Sequence, residues 1–200
     1  YSHLYMAASG QLVGVICIAD PLRPEARHVL RQLRAIGVTN TVMMTGDSDR
    51  TAAAIARQVG IDQYFSEVLP EDKASFVEKE KELGHKVIMI GDGINDSLAL
   101  SSASVGIAIS DGAAIAREIA DVTISADNLH EIVTLKRLST ALMKRIHNNY
   151  RTIIGINGGL IALGVTGIIM PTTSALLHNM STLTISLRSM RNLLPKEEEA

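Results

Sequence analysis

The sequence predicts an α/β protein: a mainly parallel, helix-covered sheet followed by a two-helix hairpin that enters a membrane. Three observations carry this prediction. From Leu12 to about Ala126, short apolar runs alternate with amphipathic segments that close on Gly, the punctuation of βα units. No strand signal returns after Asn128. Most charges fall before Arg151, whereas Ile153 to Met170 contains none.

Leu12–Ile18 reads as the first strand. Pro24 suits the first turn of a helix whose Ala26, Val29, Leu30, Leu33 and Ile36 share one face, and Gly37 ends it. Further strands are expected at Thr41–Met44, Val87–Ile90 and Val105–Ile109, with helices at about Asp49–Val59, Asp72–Leu83, Asn95–Ala103 and Ala113–Ile119. The amphipathic stretch Leu129–Tyr150 then runs into the uncharged segment, which is close to the roughly 20 residues a bilayer requires. Pro171-Thr172-Thr173 is expected to turn the chain into a second, more polar span, Ala175–Leu187. Lys144, Arg145 and Arg151 before the first span, with Arg188, Arg191 and Lys196 after the second, put both ends of the hairpin in the cytosol. A buried core helix tolerates such a run too. Gly155, Gly158, Gly159, Gly164 and Gly167 favour the membrane, because glycine weakens helices in water but allows close helix packing in lipid. The expected organisation is residues 1–126 a cytosolic domain, 127–150 a helical stalk, 151–191 the transmembrane hairpin and 192–200 a short cytosolic tail.

Composition excludes some functions. Nineteen basic and twenty-one acidic residues give a net charge of −2, and aromatics are 3% of the chain, so neither the field nor the stacking platforms for nucleic acid exist. The single cysteine, Cys17, cannot form an internal disulfide and reads as a small buried hydrophobe. Tyr1-Ser2-His3-Leu4-Tyr5 has no charged n-region, is no signal peptide, and reads as an internal starting point.

Three motifs fall at the ends of expected strands, where open α/β sheets bind ligands: Thr45-Gly46-Asp47, Lys73 within Pro70-Glu71-Asp72-Lys73, and Gly91-Asp92-Gly93-Ile94-Asn95-Asp96. Phosphoryl transfer needs donors for the phosphate oxygens, a cation against developing charge, and a divalent metal held by carboxylates. Thr45 and the Gly46 N–H can donate, Lys73 supplies the charge, and Asp92 and Asp96 offer oxygen ligands suited to Mg²⁺, with Asn95 beside them. Each motif alone is ordinary turn and helix-start chemistry. Their order and spacing together are not.

With Asp20-Pro21-Leu22-Arg23 and the run Gly91 to Leu100, these motifs resemble the phosphorylation domain of P-type ATPases, a branch of the haloacid-dehalogenase-like superfamily, over nearly the whole chain. The resemblance implies a haloacid-dehalogenase-like Rossmannoid sheet, Mg²⁺ and ATP as cofactors, and a transported cation. It implies that Thr45 and Gly46 contact the phosphoryl group, with Asp47 near the nucleotide and the site lysine. Lys73 would neutralise phosphoryl charge, Asp92 would ligate Mg²⁺, and Asn95 and Asp96 would complete that corner. The family's acceptor Asp, in an Asp-Lys-Thr-Gly-Thr motif, and its nucleotide-binding domain do not occur in this sequence. The sheet is therefore expected to be truncated, and the chain alone inactive in ATP hydrolysis. The remainder of the pump is an expected partner.

The hairpin resembles the last two helices of the heavy-metal subgroup. Intramembrane polar groups mark pathways or interhelical hydrogen bonds, so His178, Asn157, Asn179, Ser181 and Thr182 are candidate ligands of the transported ion. Ser181, Thr182 and Thr184 have the alternative of bonding back to their own helix. By the resemblance, His178 falls where copper pumps tend to have Met, zinc pumps Asp and cobalt-type pumps His. Ile156 replaces the Tyr of the copper pumps' Tyr-Asn pair, and Arg188 a usual Asn. This argues against Cu(I) and leaves zinc, cobalt, nickel, manganese and iron. Two rival functions remain: a soluble phosphatase of the same superfamily, which has no use for Ile153–Met170, and a catalytically inactive membrane binding or regulatory module.

Overall fold

A computed structural model of the chain describes residues 2–18, 21–91, 94–109, 118–124 and 128–194. The chain divides into two compact units, Tyr1–Val133 and Thr134–Ala200. Asp20, Asp92, Gly93, Asp111, most of the expected Ala113–Ile119 helix, the Cys17 side chain and residues 195–200 lie outside the described residues.

The first unit begins with an antiparallel hairpin, β1 (Ser2–Ala8) and β2 (Gln11–Ile18), joined through Ser9 and Gly10 at positive φ. Its βα units follow in order: α1 (Ala26–Ala35), β3 (Val42–Met44), α2 (Asp49–Val59), β4 (Gln63–Phe65) and α3 (Pro70–Glu82). Next come β5 (Ile88–Gly91), a 3-10 turn (Ile94–Asp96), α4 (Ser97–Ser102), β6 (Val105–Ile109) and β7 (Val122–Ile124). α5 (His130–Val165) starts here and buries Ile132 and Val133 in its first turns.

Apolar periodicity fixes which faces are buried. Val29 and Leu33 of α1, and Ala52 and Ala56 of α2, turn inward at helical spacing, and α3 buries Val77. α2 ends where Gly60 takes a left-handed φ of 86° and the Ile61 N–H reaches back to the Ala56 carbonyl. β6 is the most buried strand. Its Ala108 packs with Leu100 of α4, and Gly106 lets the two elements approach so closely that a Cβ there would meet the Leu100 carbonyl oxygen at 2.6 Å.

The parallel strands form two ladders, not one. β3 pairs with β4, and β5 pairs with β6, which pairs with β7. Among the described residues no ladder joins β3 to β5, so each keeps one unpaired edge, and Ile88 and Ile90 of β5 are exposed. This agrees with a truncated parallel sheet. β1, β4 and β7 are additional to the strands expected from the sequence. β4 and β7 are three residues each, and β4 is exposed throughout, so neither carries a periodic signal.

The second unit holds the rest of α5, together with α6 (Pro171–Ser189). Here the structure corrects the sequence. Among the described residues no helix is long and apolar enough to cross a membrane, so the expected transmembrane hairpin is not present as two such spans. The charge-free run is not one helix: α5 stops at Val165 in a Schellman closure. The Gly167 N–H donates to the Gly164 carbonyl, the Ile168 N–H to the Leu163 carbonyl, and Gly167 takes a φ of 72°. Only Ile153–Val165 of the run remains helical, about 20 Å at ~1.5 Å per residue, against a hydrocarbon core of about 30 Å. The chain reverses at 166–170, before Pro171. That proline, expected in the turn, instead occupies the start of α6, where its missing N–H costs nothing.

Candidate functional site

Two groups of candidate residues sit in the first unit. At the end of β3, the Thr45 hydroxyl donates to Asp47 Oδ2 (2.9 Å) and accepts from the Asp47 N–H (3.1 Å). The loop after β4 holds this turn from the other strand: the Thr45 N–H donates to the Phe65 carbonyl, and the Val68 and Glu67 N–H groups to the carbonyls of Thr45 and Asp47. Gly46 and Asp47 are exposed, and nothing lies within 4 Å of the place a Cβ would take on Gly46, leaving its backbone open to a ligand.

The start of β3 is anchored separately. Asp62 accepts from both the Thr41 N–H (2.8 Å) and the Thr41 hydroxyl (2.6 Å), and Arg34 Nη2 bonds Asp62 Oδ1 at 2.8 Å. The Thr41 hydroxyl, the Arg34 guanidinium and the Thr41 amide together hold the Asp62 carboxyl below its usual range. Sequence reading missed this clamp, because its three residues carry no motif.

The second group pairs the end of β5 with α3. Lys73 Nζ lies 2.8 Å from Asp96 Oδ1, with the two side chains 15% and 12% exposed. Lys73 stands in the first turn of α3, which Pro70 opens and Asp72 caps by accepting the Leu69 N–H. Asp96 is held from below by Gly91, whose position admits no Cβ: one would lie 2.6 Å from Asp96 Cβ and 2.7 Å from Oδ2. Gly91 is thus a candidate site residue by its close approach to Asp96, one that the sequence offered only as part of a motif. Asn95 is exposed beside Asp96, and Asp92 lies outside the described residues. Among the described residues no hydrogen bond joins the Thr45–Asp47 pair to the Lys73–Asp96 pair, and no group of three His, Cys, Asp or Glu gathers as a metal site. A cation, a buried carboxylate and an open backbone turn at strand ends can receive a phosphate with its counter-ion.

This strand-end chemistry has a match. The family description "haloacid dehalogenase-like hydrolase" fits residues 2–104. The chain belongs to that family. Within it, this haloacid-dehalogenase-like chain is 40% identical over 189 residues to a manganese-exporting P-type ATPase of Mycobacterium bovis, covering 94% of the chain and 26% of the relative. The same figures hold for a zinc-exporting P-type ATPase of Mycobacterium marinum. Among solved structures, a zinc-transporting PIB-type ATPase superposes with a TM-score of 0.84 at 31% identity, over 96% of this chain and 31% of the other. The chain is thus homologous to heavy-metal P-type ATPases, and it spans about a quarter of the length of the curated relatives it matches.

The remaining candidates lie in the second unit. His178 Nδ1 is 2.8 Å from Asn157 Oδ1, and both line an open groove of about 690 Å³ that Asn179 also lines. The hydroxyls of Ser181 and Thr182 donate back to the His178 carbonyl at 2.7 and 3.1 Å, and that of Thr184 to the Met180 carbonyl. At the far end of α6, Arg145 donates to the carbonyls of Ser189, Arg191 and Asn192, and Asn149 to the Ser189 hydroxyl.

Proposed function

We propose that this chain is the C-terminal portion of an ATP-driven transition-metal cation pump that works through an aspartyl-phosphate intermediate. The observation that carries the reading is the Lys73–Asp96 pair seated against Gly91 at the end of a parallel strand, in a chain homologous over 94% of its length to metal-exporting P-type ATPases. Thr45 and the Gly46 N–H donate to the phosphoryl oxygens, and Lys73 neutralises the charge that develops as the phosphoryl group moves. The donor set at the β5 end suits Mg²⁺, which prefers hard oxygen ligands: Asp96 engages Lys73 through Oδ1, and Asp92 belongs to the same motif. Bound there, Mg²⁺ would add to the charge of Lys73 against two carboxylates and a phosphate. The acceptor aspartate and the ATP-binding domain come from the rest of the pump, so the chain assayed alone should not turn over ATP.

The hairpin is read as the part that meets the membrane among the helices of the rest of the pump, since neither of its own helices is by itself long and apolar enough to cross. Ile153, Ile154, Ile161, Val165, Leu176 and Leu183 are each more than two-fifths exposed in the second unit, an apolar surface that soluble chains seldom present. His178 and Asn157 are the proposed ion ligands, with Asn179 beside them. An imidazole nitrogen and an amide oxygen suit a divalent transition metal better than Cu(I). The relatives' metals do not choose further, since the manganese and zinc exporters are equally similar.

The test is phosphoenzyme formation from ATP by the full-length protein that carries this chain. Lys73→Met and Asp96→Asn should abolish it, and His178→Ala should abolish its stimulation by metal while leaving phosphorylation from inorganic phosphate intact. Absence of an acid-stable phosphoenzyme under every divalent metal would overturn the pump reading. Unchanged metal stimulation would remove His178 from the ion site.

A further inference from the structure

α1 places His28 and Gln32 one turn apart on the same face, and His130, the first residue of α5, meets both. The rings of His28 and His130 lie 5.5 Å apart between centroids at an angle of 55°, and His130 Nδ1 is 3.3 Å from Gln32 Oε1. Gln32 Oε1 faces the ring as an acceptor, and in the tautomer that donates to it through Nδ1–H, Nε2 is the nitrogen left for a metal. Metal-binding imidazoles take this arrangement, with the second N–H anchored on an oxygen. The backbone beneath is fixed as well, since Asn128 Oδ1 accepts the His130 N–H at 3.0 Å.

The separation fits one shared ion. Two imidazoles bound at about 2.1 Å around a tetrahedral centre place their centroids roughly 5 Å apart. His28 is exposed and His130 half-buried, so an ion can enter. None of these side chains takes part in the phosphoryl or hairpin chemistry.

We propose that His28 and His130 form a bidentate site for a divalent transition-metal ion of the Zn²⁺, Co²⁺ or Ni²⁺ type, with Gln32 as the positioning residue that fixes the His130 tautomer. The two imidazoles are the protein ligands proposed, and among the described residues no third His, Cys, Asp or Glu makes a group of three. Binding ties the face of α1 to the first turn of α5, outside the hairpin, and this holds whether or not the pump reading does.

The experiment is a Zn²⁺ titration of the full chain, followed through the ¹⁵N resonances of its histidine rings. His28 and His130 are expected to respond together, at one Zn²⁺ concentration, and independently of His178→Ala. His28→Ala, at an exposed position, should weaken the His130 response at least about tenfold; Gln32→Ala should weaken both by about tenfold, and Gln32→Glu, which keeps an oxygen acceptor, should restore them. The proposal is overturned if the two rings titrate at different concentrations, if neither responds, or if His28→Ala leaves the His130 response unchanged.

Discussion

Replacing Gly91 by alanine tests whether the β5 end is built around Asp96. The added Cβ would lie 2.6 Å from Asp96 Cβ, 2.7 Å from Oδ2 and 2.9 Å from Cγ, where ordinary carbon contacts are about 3.5–4.0 Å. A rotamer change cannot relieve a clash with Asp96 Cβ itself, so the 3-10 turn must retreat by roughly 1 Å. A shift of that size takes the 2.8 Å contact between Lys73 and Asp96 out of hydrogen-bonding range. A hydrogen bond to a charged group contributes about 1.5–3 kcal/mol, and overpacking costs about 1–3 kcal/mol. Both side chains keep some access to water, 15% and 12%, and regain part of the loss by solvation, which leaves an expected cost of about 2 kcal/mol. In urea unfolding followed by circular dichroism, with a slope of about 2 kcal/mol per molar, the midpoint should fall by about 1 M. Gly46→Ala is the control: nothing lies within 4 Å of its Cβ position, so its midpoint should stay within about 0.2 M of the parent's. A Gly91→Ala midpoint equally close to the parent's would refute the reasoning.

Three further outcomes are expected. A double-mutant cycle of Lys73→Met and Asp96→Asn should give a coupling of about 1–3 kcal/mol, and a coupling of zero within error would make the pair an incidental contact. Because the folded-state pKa of Asp62 is lowered, its contribution is complete above the unfolded-state value of about 3.9 and is lost as pH falls through the folded value. Asp62→Asn should therefore destabilise the chain at neutral pH and make no difference at the most acid pH; a pH-independent difference would contradict the clamp. Arg145→Ala removes a donor to three carbonyls at and just beyond the end of α6, and amide protection in its last turn should drop about fivefold, as loss of about 1 kcal/mol requires.

How much of this was legible depended on what kind of signal each feature carries. Val29 and Leu33, or Ala52 and Ala56, announce their helices because burial repeats at the helical period. Lys73 and Asp96 were each legible as candidates because motif order encodes position at strand ends, but their 2.8 Å contact was not, since the sequence set Lys73 against the phosphoryl group and Asp96 beside Asp92. The break at Gly167 was not, since hydropathy averages over side chains and cannot register one left-handed backbone residue in an apolar run. Pro171 misled for a related reason: proline at a helix start and proline in a turn look alike in sequence. Nor could the sequence show that Gly91 lies under Asp96, which is a matter of close approach between segments.

The two separate ladders also bear on how the chain comes to be folded. Val42 meets Gln63 across α2, and Ile88 meets Val105 across α4, so each parallel pair closes over a short stretch of chain with its own helix. The entropy of closing such loops is modest, and neither ladder waits on the other. Hydrogen exchange should therefore resolve two cooperative units inside the first domain, one around β3–β4 and one around β5–β6–β7. Any strand inserted between β3 and β5 would merge them into a single unit, turning a local folding event into one that spans the whole sheet.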